Sequence, residues 1–137
     1  MRLWHKDLVL VIPRQQLLSQ WRECCCIARN ISTNGTPNHL LVNKIMEYPM
    51  DHFYTYGRLV HRAMKLRGYK CDFTKFEHYF TSPHETNIVD HSELFSGWHN
   101  DRYLWQCYRN LEEKYDCGGI TAEEWTKIKF KMAEKIS

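Results

Sequence analysis

No run of apolar residues in this 137-residue chain approaches the roughly 20 needed to cross a bilayer. Near the N-terminus the run LVLVI (8–12) falls short of the ~7–15 apolar residues of a secretory signal. A cytoplasmic protein without a membrane partner is therefore expected. No CxxC occurs among the six cysteines, three of which are consecutive at 24–26. Neighbours on a helix point roughly 100° apart, so Cys24, Cys25 and Cys26 cannot converge on one metal ion. Free thiols in a reduced, intracellular chain are the simpler reading. HxxxH and HExxH are absent, and His78, His84, His91 and His99 have no regular ligand spacing, so no metal is expected. P-loop, GxGxxG and GxSxG signatures are missing as well, and no cofactor is expected. Internal repeats, low-complexity tracts and long linkers are lacking too, which leaves one domain over residues 1–137.

What is present points to a folded chain that meets a polyanion. Apolar residues make up 43% and aromatics 14%, enough for a real core despite a negative mean hydropathy. Aromatics fill cores and also stack on bases. Charge is uneven. Residues 1–84 hold 12 Lys/Arg against 6 Asp/Glu, a balance of +6, whereas residues 85–137 hold 7 against 10, a balance of −3. A basic first part suits nucleic acid, although a pI near 8.5 alone does not single it out.

No segment sustains a period of two, so strands are not expected. Pro13 opens a helix running to about Asn30, and the turn-rich STNGTPNH (32–39) breaks the chain. A short helix over 39–47 ends at Tyr48-Pro49, because the residue before proline disfavours the α region. The next helix, about 50–67, stops at Gly68 after Lys65 and Arg67. The polar, histidine-bearing stretch that follows is irregular. A helix over about 100–115 carries Tyr103, Leu104, Cys107, Tyr108 and Leu111 at helical spacing, with Trp105 counted among its core residues. Thr121 and Glu124 form a capping box that starts a last helix to about 134. The expected fold is all-α, a compact domain of four to five helices with an N-terminal segment packed on the first helix.

That first helix raises a question of chemistry. Wound at ~100° per residue, it puts Leu17, Leu18, Trp21, Cys24, Cys25 and Ala28 on one face. Gln15, Ser19, Arg22 and Cys26 lie opposite, with Glu23 beside them, roughly 160° from the apolar centre. Arg22 and Glu23 are adjacent rather than four apart, so a helix-stabilising ion pair does not explain them. A solvated face is the plain alternative.

The opening MRLWHKDL…PRQQLLSQWRE resembles the start of the pyrimidine-dimer DNA glycosylase/AP lyase family of the phage endonuclease V type, and is similar to its bacterial branch beginning MRLW. Gln15, Leu17, Arg22 and Glu23 stand at that family's spacing after a short N-terminal segment. KLRGYKCD (65–72) resembles the basic, glycine-terminated end of its middle helix, and SPHE (82–85) is a weaker echo. The resemblance covers roughly residues 1–85. It implies a DNA-repair enzyme that uses the chain's own terminal amine as nucleophile and Glu23 as the carboxylate that moves protons. An α-amine has a reference pKa near 7.7–8.0 against about 10.4 for lysine, so a useful fraction is free base at neutral pH. Arg2 in second position normally blocks removal of the initiator, so the amine the resemblance implies would belong to Met1, one residue further out, and Met1 and Arg2 join Arg22 and Glu23 as catalytic candidates. Arg22 would hold phosphate and keep the carboxylate ionised. The implied partner is double-stranded DNA with damaged or abasic sites.

Other residues read less sharply. Arg58, Arg62 and Lys65 make a cationic ridge at i, i+4 and i+7 that can neutralise phosphates or simply face solvent. His39, after the turn at 34–37, can point at the site or lie on the surface. Gln15 and Ser19 join these as candidate DNA contacts. Trp98 follows Ser96-Gly97 and fits a core role better than base stacking. Two readings other than an enzyme stay open: a non-catalytic nucleic-acid-binding module of the same fold, and a protein-interaction domain.

Overall fold

The computed structural model describes residues 1–80 and 86–136; the SPHE fragment and His84 lie outside them. Among the described residues the structure is helical, without strands. A turn-rich N-terminal segment leads into α1 (Arg14–Asn34), a 3-10 helix (Asn43–Glu47), α2 (Met50–Leu66), the single turn α3 (Thr74–Glu77), α4 (Asp101–Asp116) and α5 (Ala122–Ile136). Among the described residues no helix is long and apolar enough to cross a membrane.

Local chemistry explains most boundaries. Pro13 precedes the first residue of α1 as its cap, with φ −60° and ψ 160°. The helix runs four residues beyond the expected Asn30, through Ser32 and Thr33. Glycine, rather than the polar turn formers, ends it: Gly35 adopts φ 77° and its N–H donates to the Ile31 carbonyl at 2.8 Å. Gly68 closes α2 in the same way at φ 78°. The short helix expected over 39–47 is a turn followed by the 3-10 helix, and Tyr48 is extended before Pro49. Asn100 caps α4 by accepting from the Tyr103 amide at 3.0 Å. The Thr121–Glu124 capping box forms with both bonds at 3.1 Å, and Glu124 also accepts from the Arg14 amide at 3.0 Å. One carboxylate thus ties the start of α5 to the start of α1.

Buried side chains from Leu3 to Met132 join in one apolar cluster. Trp98 and Trp125 belong to it, as expected for Trp98. Trp105 does not. It is 38% exposed on the outer face of α4, edge-on to Tyr108 with Arg109 over its ring, because the buried face of α4 is formed by Leu104, Cys107 and Leu111, while Tyr108 and Tyr115 stack on Trp125 of α5. An aromatic group of Trp21, Phe53, Tyr54, Phe73, Phe76 and Phe80 fills the space between α1, α2 and α3, with Phe76 at its centre.

That centre requires Gly57 in mid-helix. A Cβ there would lie 2.3 Å from the Phe76 ring, which is fully buried among its neighbours and has nowhere to move. Gly57→Ala should gain about 0.5–1 kcal/mol of helix preference and lose about 1–3 kcal/mol to overpacking. Net destabilisation in urea unfolding is the expected outcome, and a Gly57→Ala variant as stable as the parent would contradict this packing.

Candidate active site

The site is assembled around a glutamine on α1 that the polar–apolar pattern does not single out. Gln20 is fully buried. Its Oε1 accepts from the Trp4 amide at 2.7 Å and from the Tyr56 hydroxyl at 2.9 Å. Its Nε2 donates to the Arg2 carbonyl at 3.0 Å and to Glu23 Oε2 at 3.2 Å. One side chain therefore fixes the N-terminal segment, α2 and the Glu23 carboxylate to each other.

The segment is also held at other points. The single Tyr56 hydroxyl proton is shared between Gln20 Oε1 and the Trp4 carbonyl, the latter nearer at 2.6 Å, and the Tyr103 hydroxyl of α4 donates to the Leu3 carbonyl at 2.6 Å. Leu3 is fully buried and Trp4 nearly so. Lys6, itself buried, donates from Nζ to the carbonyls of His91 and Leu94 at 2.7 and 2.8 Å. Asp7 accepts from His91 at 2.8 Å and pairs with Lys135 at 3.1 Å. The segment's hydrogen-bonded anchor on α1 is Gln20, while Trp21 packs against His61, Phe73 and Phe76.

This arrangement puts the chain terminus over Glu23. Met1, Arg2, Trp4, Gln15, Gln16, Ser19, Glu23, Leu41, Asn110 and Lys114 line a cleft of about 380 Å³. Burial raises the Glu23 pKa above its usual range by penalising the charged form; the positive N-terminus, His39, Arg22 and the Arg2 amide act in the opposite direction. The Arg2 guanidinium stacks over Trp4 at 5.3 Å. Gln16 Oε1 is buried in the cleft without a hydrogen-bond partner among the described residues.

Of the sequence candidates, Met1, Arg2, Gln15, Ser19 and Glu23 share the cleft. His39 faces Glu23 electrostatically from the turn after α1. Arg22 is exposed at the edge, donating to Ser19 Oγ at 3.3 Å. Arg58, Arg62 and Lys65 are not brought to the cleft. They line a separate depression with Thr55, Phe73, Val89 and Leu94, on the other flank of the α1–α2 pair. Sequence reasoning missed Gln16, Gln20, Asn110 and Lys114. The signal for Gln20 was there: it lies between Leu17, Cys24 and Ile27 at helical spacing, a polar residue inside the buried stripe. Asn110 and Lys114 come from α4, in the acidic third that carried no motif. Among the described residues no group of three or more His, Cys, Asp or Glu could hold a metal ion.

Beyond the cleft, across Arg2 and Leu41, lies a second depression of about 530 Å³ lined by Leu40, Lys44, Trp98, Arg102 and Tyr103 among others. The family model for pyrimidine dimer DNA glycosylases matches residues 1–77. That span contains the N-terminal segment, α1 and α2, and so every hydrogen-bond partner of Gln20. No curated protein and no solved structure matches the chain.

Two outcomes follow from the geometry. Gln20→Leu leaves the Trp4 amide without an acceptor and the Tyr56 hydroxyl with one fewer. A loss of about 1–3 kcal/mol is expected, with faster hydrogen exchange at the Trp4 amide. Unchanged exchange at Trp4 would show that Gln20 does not hold the segment. The second concerns pH. A carboxyl whose pKa is raised by folding contributes stability fully below its ordinary 4.5, and loses it as pH rises through the raised value. Glu23→Gln should therefore be more stable than the parent at about pH 7, and the advantage should vanish by about pH 4 in paired thermal melts. A variant less stable than the parent at neutral pH would refute this.

Proposed function

The chain belongs to the pyrimidine dimer DNA glycosylase family, and from that premise we propose that it cuts DNA at damaged or abasic sites through the Met1 amine and Glu23. The observation that carries this reading is the terminal segment, pinned by Gln20 so that the amine charge faces the Glu23 carboxylate. A nucleophile on a frayed terminus would spend little time in attack geometry. Here residues 3 and 4 are buried and hydrogen-bonded on both sides of the chain.

The amine nitrogen of Met1 forms a bond to the deoxyribose C1′ as the C1′–N glycosidic bond breaks. The base leaves with the bonding pair and acquires a proton. Opening of the sugar ring at C1′–O leaves an iminium between Met1 and the sugar. Loss of a C2′ proton then drives cleavage of the C3′–O bond, and the 3′ phosphate departs with those electrons. On an abasic site the amine condenses with the C1′ aldehyde, water is lost, and the same elimination follows.

Glu23 has two tasks in this scheme. Ionised, it stabilises the cationic sugar and iminium; protonated, it returns a proton to the ring oxygen. A half-buried carboxyl with a raised pKa suits a group that must exchange protons. Arg22 and Ser19 at the rim, with Gln15 beside them, are assigned to the phosphates flanking the lesion. Gln16 Oε1, without a partner in the cleft, can accept a hydrogen bond from the displaced sugar.

Borohydride reduction in the presence of abasic duplex should trap a covalent adduct, and peptide mapping should place it on the amine of residue 1. Glu23→Gln should lower strand cleavage by about two or more orders of magnitude while duplex affinity changes little. An adduct on a lysine, or full activity after the amine is blocked, would disprove the terminal-amine mechanism. Salt-dependent binding without any adduct would favour the non-catalytic module.

A further inference from the structure

The turn between α1 and the 3-10 helix presents two leucines to solvent next to the cleft. Leu40 is 85% exposed and Leu41 52% exposed, while Val42 and Ile45 just behind them are fully buried. The turn is built rather than slack. Asn38 takes a left-handed conformation at φ 57°, and the amides of Val42 and Asn43 both donate to the His39 carbonyl at 3.0 and 2.9 Å. The His39 amide donates to Asn43 Oδ1, and its ring Nδ1 accepts from the Leu41 amide. Two apolar side chains are thus held outward by a hydrogen-bonded support.

Their position gives this exposure a meaning. Leu41 borders both the Glu23 cleft and the adjoining depression, and Leu40 borders the latter. Among the described residues lining the two depressions, the charged groups besides the terminus are Arg2, Lys44, Arg102, Lys114 and Glu23. Four cations against one carboxylate surround an apolar point, a pattern that suits phosphates on either side of a stacked base step. A partner protein with an acidic rim would also meet the charges, but it would not need the leucines to stand beside a reaction cleft.

We propose that Leu40 and Leu41 form a wedge that enters the DNA duplex at the lesion and separates the stacked bases there. The inference rests on the glycosylase reading and adds to it how a lesion inside a duplex reaches the amine. Apolar side chains inserted at a base step unstack it, and a damaged or abasic step resists least. The wedge therefore favours lesions over intact DNA before any chemistry occurs. The cations Arg2, Lys44 and Arg102 hold the strand that the insertion displaces.

The test uses a duplex carrying a tetrahydrofuran abasic analogue, which lacks the C1′ hydroxyl and cannot form an iminium, with 2-aminopurine opposite. The parent protein should raise the 2-aminopurine fluorescence several-fold on binding. The double variant Leu40→Ser, Leu41→Ser should bind the duplex without that rise, with an unchanged circular dichroism spectrum and melting temperature. In a parallel assay Leu40→Ser alone, which leaves the lining of the Glu23 cleft intact, should cut a true abasic site in duplex DNA on the order of tenfold more slowly, yet match the parent on a single-stranded abasic oligonucleotide, where no stack must be opened. Equal fluorescence from parent and variant overturns the wedge, as does an equal loss of cutting on both substrates. Unchanged behaviour in both assays would assign the leucines to protein contacts and likewise overturns it. If the parent opens the duplex but cuts nothing, the terminal-amine chemistry fails and the wedge stands.

Discussion

A single buried carboxamide organises this molecule. Gln20 uses both ends of its side chain, accepting from Trp4 and Tyr56 and donating to Arg2 and Glu23. A buried amide costs free energy unless it is hydrogen-bonded, so each of these bonds makes the others worth keeping. The network lets a segment with little regular structure lie in the interior, because its backbone groups find partners there that a helix would otherwise supply. Glu23 benefits from the same amide. Its carboxylate is half-buried at the mouth of that network, oriented by Nε2 and overhung by the terminus.

The N-terminal segment is therefore a structural element of the whole protein. Tyr103 on α4, His91 in the loop before it, and Lys135 at the end of α5 all reach back to residues 3–7. His99 accepts from the Lys6 amide at 2.9 Å and stacks on His5, and burial holds both imidazoles below their usual pKa. The acidic C-terminal third, which offered no catalytic motif, acts as the clamp that positions the first few residues. It also supplies Asn110 and Lys114 to the cleft wall.

The aromatic side of α1 does different work. Trp21 turns toward Phe73 and Phe76, and Gly57 lets the Phe76 ring approach the α2 backbone. Packing on this flank holds α1 against α2 at a fixed rotation. On the opposite flank the rotation sets how deeply Glu23 is buried. Core packing and the electrostatics of the cleft are thus two consequences of one helix orientation.

The helices were legible because their signals are local. Pro13, Gly68, the Thr121–Glu124 box and the Tyr48-Pro49 step act through neighbouring backbone groups, which lie within a few residues of each other in the chain. Met1, Arg2, Gln15, Ser19 and Glu23 could be grouped because a family pattern and a helical period bring them together. The depth of Glu23 could not. The buried face of α1 is centred roughly 60° round from the apolar stripe, since Gln20 and Ile27 point inward with Leu17 and Cys24. Glu23 consequently flanks the core at about 100° from its centre, where the sequence pattern had placed it near 160°. Polarity alone would leave Gln20 at the surface, and only partners 16 and 36 residues away make its burial favourable. The Arg58, Arg62 and Lys65 ridge shows the converse: the helix places the three together, but its rotation against α1 turns them to a different flank. Helical spacing determines which side chains share a face; what that face meets depends on long-range hydrogen bonds and packing, which only the folded chain supplies.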